Sequence, residues 1–148
     1  MPINPQAFTA IPEPVEQAVR VAINNAPFPK FVGLDMEAVK KDYARMRLPY
    51  RPEMNQPAGI IHGGAIASLI DTTVVGAIFS GFDPGNLPKK IVTIDMHVHY
   101  IAAGVEQDLI CHAAVRRRGR QIIFLETDVL DLAGKLIAHG ELSYMVMA

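Results

Sequence analysis

Apolar and polar residues alternate along most of the second half of the chain. Apolar side chains occupy every second position from 92 to 100, which is the pattern of a half-buried β-strand. Further strands are predicted at about 107–117, at about 121–130 and from Gly134 to about 146. The short links at Gly119 and Gly134 predict antiparallel hairpins.

The first half of the chain combines helical and strand patterns. Val15, Ala18, Val19 and Ala22 recur at helical spacing, which predicts an extra N-terminal helix at about 14–24. Asparagines and prolines at 24–29 break this pattern, and alternation at about 44–50 predicts a strand. A loop over 51–62 then leads into a long apolar helix at 63–80.

The helix at 63–80 is apolar on almost every side, so it must be covered on most sides. Its length is near the minimum for a membrane span. However, Asp71 lies at its centre, and an ionised carboxylate inside a bilayer is costly. We therefore interpret this segment as a helix buried inside a soluble protein.

A long buried helix followed by an antiparallel meander has few compact solutions, because helix and sheet must bury their apolar surfaces together. The sequence therefore predicts an α+β fold of the hotdog kind. In this fold a curved antiparallel sheet of about five or six strands wraps a long central helix. With 148 residues and no linker, we expect one such domain, preceded by the extra N-terminal helix.

Composition narrows the range of partners. The 14 basic and 15 acidic residues give a formal net charge of −1, without the basic excess typical of proteins that bind nucleic acid or membrane surfaces. Cys111 is the only cysteine, which excludes an intramolecular disulfide, and the N-terminus lacks a signal-peptide pattern. We therefore expect a cytoplasmic protein that binds neither nucleic acid nor membranes.

Candidate chemistry is concentrated around the start of the long helix. Gly63 and Gly64 allow a ligand to approach the backbone, and the first helical turn presents unpaired N–H groups that can stabilise an oxyanion. The alternative is that both glycines only permit tight packing. Asp71 lies mid-helix among apolar neighbours, where a charge is costly unless it is paired or used. It is therefore either a catalytic carboxylate or a structural aspartate that caps a neighbouring loop.

The spacing of Gly63 and Asp71 constrains any shared role. They are eight residues apart, which separates them by about 12 Å along one helix. An oxyanion donor and a catalytic carboxylate must both lie within about 3 Å of one reacting centre or its water. If both residues are catalytic, each site must combine Gly63 of one chain with Asp71 of another, which requires a homo-oligomer.

The motif His62-Gly63-Gly64, followed by Asp71, by Thr93-Ile94-Asp95-Met96 and by Gly119-Arg120, resembles the PaaI-type hotdog thioesterases. The resemblance covers about residues 31–146. It implies hydrolysis of an acyl-CoA thioester with no separate cofactor, because coenzyme A is part of the substrate. It also implies that the Gly63 N–H polarises the thioester carbonyl, while Asp71 of the partner subunit acts as nucleophile or general base.

The resemblance further implies assisting roles for His62, for a preceding amide side chain and for the hydroxyl of Thr93. The family places its amide six residues before the histidine, which selects Gln56, whereas Asn55 lies seven before, so both are candidates. Thr93 has the parity of the polar face of its strand. Its role therefore requires a bend at the strand start or an orientation toward the neighbouring subunit.

Basic residues flank one predicted turn and precede one strand. Arginine suits the phosphates of coenzyme A, and the alternative is a solvated hairpin end. The candidate CoA-binding residues are Gly64, Lys89, Lys90, Arg116, Arg117, Arg118 and Arg120. His97 and His99 lie on one side of a strand, as metal ligands can, but no third ligand is evident, so no metal is expected.

We therefore expect a homo-oligomeric acyl-CoA thioesterase, either a dimer or a dimer of dimers, with aliphatic and aromatic acyl groups both open. One alternative is an enoyl-thioester hydratase of the same fold, for which the nine-residue spacing of His62 and Asp71 fits poorly. A second is a non-catalytic acyl-CoA binding module, which would not need the buried acid.

Overall fold

Six antiparallel strands form one sheet in the computed structural model, which describes residues 2–148. The strands are β1 (Asp35–Lys40), β2 (Tyr43–Leu48), β3 (Lys90–Tyr100), β4 (Leu109–Arg118), β5 (Ile122–Leu130) and β6 (Leu136–Met147). Their order is β1-β2-β4-β5-β6-β3, so that β1 and β3 are the edge strands. The hairpins predicted at Gly119 and Gly134 connect β4 to β5 and β5 to β6.

Three α-helices accompany the sheet: α1 (Glu13–Asn25), α2 (Pro27–Val32) and α3 (Gly63–Phe79). From the sequence, Pro27 and Pro29 were predicted only to break a helix. Instead they lie in the first turn of α2, where proline is favoured because its missing N–H has no intrahelical partner. The edge strand β1 was not predicted either. A bulge between Met36 and Ala38 interrupts the period-two alternation that would identify it.

One face of α3 packs on the sheet and forms the centre of the core. The largest fully buried side chains on this helix are Leu69, Ile70, Val74 and Ile78. Each such side chain stabilises the fold by about 1.5–3 kcal/mol relative to exposure. Gly76 allows the helix to approach the sheet closely, because a Cβ there would lie 2.9 Å from both the Ala44 Cβ and the Met36 Cε. The predicted hotdog arrangement of a long helix on an antiparallel sheet is thus confirmed.

The edge strand β3 is unusual because much of its apolar surface is exposed. Ile94, Met96 and Tyr100 are 51%, 36% and 54% exposed, respectively, and β3 pairs along only one edge, with β6. Its other edge is therefore free among the described residues. Within residues 2–148, no helix has the length and apolar character needed to cross a membrane.

Candidate active site

Asp71 lies in the middle of α3, on the side that does not face the core, and is partly buried. Its Oδ1 atom accepts a hydrogen bond from the Thr93 hydroxyl at 2.9 Å and lies 2.5 Å from the Tyr144 hydroxyl. Among residues 2–148, no hydrogen bond uses Oδ2. One carboxylate oxygen is therefore fixed by the protein, while the other is free to meet a ligand.

Tyr144 is a site residue that sequence reasoning missed. Its side chain lies on β6 and is only 4% exposed, and its hydroxyl is also 2.9 Å from the main-chain oxygen of Asp71. Burial, and then the hydrogen bond to Asp71, raise the pKa of Tyr144 far above its usual value, so the phenol stays protonated and donates. A buried tyrosine needs a hydrogen-bond partner for its hydroxyl, and this requirement was the signal by which Tyr144 could have been found. The sequence alone did not identify Asp71 as that partner.

The bend required for Thr93 is present at the start of β3. A bulge between Thr93 and Asp95 shifts the register, so Thr93 pairs with Tyr144 while Asp95 pairs with Ser143. The extra residue, Ile94, moves Thr93 to the side of the sheet that faces α3. Thr93 thereby comes within reach of Asp71, although simple alternation assigns it to the polar face.

The first turn of α3 carries the His-Gly-Gly motif. His62 is the N-cap, and its Nδ1 accepts a hydrogen bond from the Gly64 N–H at 2.8 Å. No acceptor for the Gly63 N–H occurs among residues 2–148, and the Tyr100 hydroxyl donates to the Gly63 carbonyl at 3.1 Å. Of the two glycine amides, only that of Gly63 is therefore available to a ligand oxygen. It lies on the same helix as Asp71, two turns away.

The two candidate amide side chains differ in their engagement. Gln56 accepts from the Ala58 N–H at 2.6 Å and so stabilises its own turn. Asn55 donates to the Tyr50 hydroxyl at 2.9 Å, while its Oδ1 is buried and has no partner among the described residues. Turning the amide over would leave its nitrogen unpaired instead. Asn55 therefore retains an unused polar atom close to the start of α3.

A cavity of about 880 Å³ opens between α1 and α3, with Asp71 and Tyr144 in its wall. The remaining lining is almost entirely apolar. It includes Val15, Ala18, Val19, Ala22, Val75, Phe79, Phe82 and Leu87. An ionisable carboxylate at the wall of an apolar cavity is the arrangement expected of a site that binds an apolar group and acts on a polar bond attached to it.

The candidate CoA-binding residues have unequal environments. Arg118 is already engaged, since its Nε lies 2.7 Å from the Asp42 carboxylate and its guanidinium donates to the Ala77 and Ile78 carbonyls at the end of α3. Arg116 forms an exposed ion pair with Glu126. Both interactions reduce the availability of these two side chains to a phosphate.

The other basic candidates are brought to one end of the sheet. Lys90 pairs with Met147 at the end of β6, and the Gln121 carbonyl accepts from the Val146 N–H at 2.7 Å. The β4–β5 turn, which contains Arg120, therefore lies at the same end of the sheet as Lys89 and Lys90. Arg117 is exposed next to a bulge in β4.

Other reactive side chains lie away from this site. Cys111 is buried in the core, and burial raises the pKa of its thiol to about 12, so it is not a thiolate nucleophile at neutral pH. His97 and His99 lie on the face of β3 opposite α3, with their Nε2 atoms 3.1 Å apart. Within residues 2–148, no group of three or more metal-binding side chains occurs.

Comparison with known proteins agrees with this architecture. The family model of the thioesterase superfamily matches residues 58–138. The medium/long-chain acyl-CoA thioesterase YigI of Escherichia coli is 24% identical over 147 residues, covering 88% of this chain and 95% of that protein. A protein of Halobacterium salinarum with a provisional esterase description is 32% identical over 106 residues, covering 70% of this chain and 69% of that protein.

Among solved structures, the PaaI protein of the Escherichia coli phenylacetic acid degradation operon has the same fold. Its TM-score is 0.79 at 20% identity, covering 89% of this chain and 92% of that chain. The match to the family model extends over more than half of the sequence and includes His62, Gly63 and Asp71. The chain therefore belongs to the thioesterase superfamily and is a thioesterase with the PaaI-type hotdog fold.

Proposed function

We propose that this protein hydrolyses the thioester bond of acyl-CoA molecules with medium or long aliphatic chains, using Asp71 as its catalytic carboxylate. The observation that supports this most directly is the position of Asp71 in the wall of an apolar cavity of about 880 Å³. Such a cavity favours a long aliphatic group over a small polar one. The name of the relative YigI points to the same substrate class.

Asp71 can act by either of two routes. As a nucleophile, its oxygen bonds to the acyl carbon, the C–S bond breaks, and CoA thiolate leaves; water then hydrolyses the acyl–aspartate anhydride. As a general base, Asp71 takes a proton from a water whose oxygen attacks the acyl carbon; the C–S bond then breaks, and the CoA thiolate leaves and takes up a proton. Both routes give a carboxylic acid and free CoA, and both need the free Oδ2, because Oδ1 is held by Tyr144 and Thr93.

The oxyanion donor in this proposal is the Gly63 N–H of the partner subunit. Gly63 has no acceptor among residues 2–148, and the helix dipole adds partial positive charge at this position. Two helical turns separate it from Asp71 of the same chain, so a second copy must supply one of the two groups. The unpaired amide atom of Asn55 makes it the better candidate for holding the water or His62, and Gln56 the weaker one.

We further propose that Lys89, Lys90, Arg117 and Arg120 bind the phosphates of coenzyme A, with Gly64 lying beside the pantetheine. Their common position at one end of the sheet supports this assignment, whereas Arg118 and Arg116 already have carboxylate partners. A cytoplasmic location, the absence of a separate cofactor, and a dimer or tetramer stay predictions.

Thiol release from a panel of acyl-CoAs tests the proposed function. We expect wild-type protein to release CoA and Asp71→Asn to lose at least about a hundredfold in kcat, because asparagine keeps the shape but neither attacks nor accepts a proton. The matched control is Asp128→Asn. Asp128 is buried, and it is hydrogen-bonded to His139 on the opposite face of the sheet. Near-normal turnover by a folded Asp71→Asn variant would remove Asp71 from the mechanism.

A further inference from the structure

The cavity has a wall that the family-model match does not include. Helix α1 precedes residues 58–138, and its apolar face forms the cavity wall opposite Asp71, Val75 and Phe79 of α3. Hydrogen bonds hold α1 on the other side: Arg20 Nε donates to the Met36 carbonyl at 3.0 Å, and Asn24 Oδ1 accepts from the Met36 N–H at 2.7 Å. The helix is therefore anchored to β1, and the cavity lies between it and α3.

The start of α1 lies near the end of α3. Ala10, just before α1, forms a bridge with Lys40 at the end of β1. The adjacent β1–β2 turn contacts the end of α3, because the Asp42 N–H donates to Ser80 Oγ at 2.8 Å. Both observations place the first turn of α1 beside the last turn of α3.

At the other end of α3, its first half lies near the end of α2. Phe31 and Val32, at the end of α2, line a second, smaller cavity together with Gly64 and Ser68 in the first half of α3. The chain from α1 to α2 thus runs antiparallel to α3. Moving from Asp71 toward the end of α3 corresponds to moving backward along α1, so Ala22 lies nearer to Asp71 than Ala18 does.

The cavity has room for a long extended chain. From Asp71 to Phe79 the helix α3 advances by about 12 Å. At about 1.3 Å per carbon in an extended chain of C–C single bonds, this length accommodates roughly nine carbons. Phe82 and Leu87 continue the apolar lining beyond that point. Ala18 and Ala22 are exposed to this space, so their small side chains leave it unfilled.

We propose that α1 determines the chain-length specificity for the acyl group. Ala18 and Ala22 are the specificity-determining residues, and they admit saturated, unbranched chains of about ten or more carbons. This inference rests on the proposed thioesterase function for the position of the acyl carbonyl at Asp71. A large side chain at Ala18 limits the chain a few carbons beyond the carbonyl, and one at Ala22 limits it closer to the carbonyl. The effects of the two substitutions are therefore ordered.

Wild-type kcat/KM is expected to rise by about fourfold per added methylene from four to about ten carbons, because each methylene leaves water for the cavity. Ala18→Phe should lower the ratios of eight-carbon and of twelve-carbon to four-carbon activity at least tenfold while keeping four-carbon activity. Ala22→Phe, closer to Asp71, should lower four-carbon activity as well. Gln17→Phe is the matched control, because it adds the same ring on α1 outside the cavity lining and should keep both ratios.

Binding of dodecanoate, measured by calorimetry, separates this inference from the proposed function. Binding by wild type and Gln17→Phe, with at least tenfold weaker binding by Ala18→Phe, supports the chain-length role even if no acyl-CoA is hydrolysed. Equal chain-length profiles and equal dodecanoate affinities for Ala18→Phe and Gln17→Phe would overturn it. So would a wild-type protein that binds no dodecanoate because a partner subunit fills the cavity.

Discussion

At the scale of single residues, the two oxygens of Asp71 have different surroundings. Oδ1 is within hydrogen-bond distance of Tyr144 and Thr93, which come from neighbouring strands, while Oδ2 has no partner among residues 2–148. Two donors on one oxygen fix the rotation of the carboxylate, so the free oxygen has a defined direction. In the proposed reaction, Tyr144 is a positioning residue that acts through Asp71.

Removing the Tyr144 hydroxyl tests this role. We expect Tyr144→Phe to lower kcat by about tenfold or more with little change in KM, because the carboxylate loses orientation but the acyl cavity keeps its shape. A purely structural role of Tyr144 would instead lower the amount of folded enzyme without separating kcat from KM. Steady-state kinetics on folded protein measures kcat and KM separately.

Tyr43→Phe provides the matched control. Tyr43 is also buried, with its pKa raised to about 12 mainly by burial, and its hydroxyl lies 2.8 Å from His112 Nδ1 on the opposite face of the sheet. This variant should lose stability but keep the kcat of the folded enzyme. If both variants lower kcat equally, the Tyr144 hydroxyl contributes only to folding.

At the scale of elements, the end of α3 is stabilised by a side chain from β4. Arg118 donates to two terminal carbonyls of the helix and to Asp42. Its side chain is accordingly only 23% exposed. Gly81 leaves space for this arrangement, because a Cβ there would overlap the guanidinium. One arginine thus joins the sheet, the β1–β2 turn and the helix end.

Two arginines in the same part of the chain should therefore respond differently to replacement. Arg118→Met should lower the free energy of unfolding by about 2 kcal/mol, because buried carbonyls and a carboxylate lose a charged donor. Arg120→Met should change it by less than about 0.5 kcal/mol, because its side chain is exposed. Urea unfolding measures this difference.

Kinetics with two substrates completes the comparison. Arg120→Met should raise KM for an acyl-CoA, less so at high salt, and leave KM for an acyl-pantetheine unchanged, because only the nucleotide carries the phosphates in question. Equal losses on both substrates would instead assign Arg120 to folding or assembly.

At the scale of the whole molecule, β3 has the properties of an interface. It is eleven residues long, with one free edge among the described residues and exposed apolar side chains at Ile94, Met96 and Tyr100. A second copy of the chain could extend the sheet here. In the proposed oligomer, the second copy supplies the Gly63 amide.

Mixing two inactive variants tests the shared site. Asp71→Ala removes the carboxylate, and Gly63→Val blocks the amide; the added Cβ lies 3.3 Å from the exposed, movable Tyr100 ring, so folding should survive. A mixed dimer has one site with both lesions and one with neither. Random exchange gives mixed dimers about half the time, so activity should return to about a quarter of wild type. Mass spectrometry verifies exchange, and no recovery among exchanged, folded subunits would contradict the shared site.

Apart from α2 and β1, the sequence by itself determined the architecture, because the relevant signals are local. Period-two alternation, tight links at Gly119 and Gly134, and one long apolar helix interrupted by Asp71 were sufficient to predict helix and sheet. The motif at His62 and the spacing to Asp71 identified the thioesterase family. These features depend on neighbours within a few residues or one helix, so they are readable without tertiary contacts.

Only the tertiary structure decided which side chains meet. Tyr144 follows Asp71 by 73 residues, and the bulge that turns Thr93 toward Asp71 depends on the pairing of β3 with β6. The surface of α3 that appeared to need covering by the core instead borders the cavity against α1. Arg118 is joined to the helix end rather than left free with its neighbours. Long-range pairing and burial set these contacts, and neither is encoded in local periodicity.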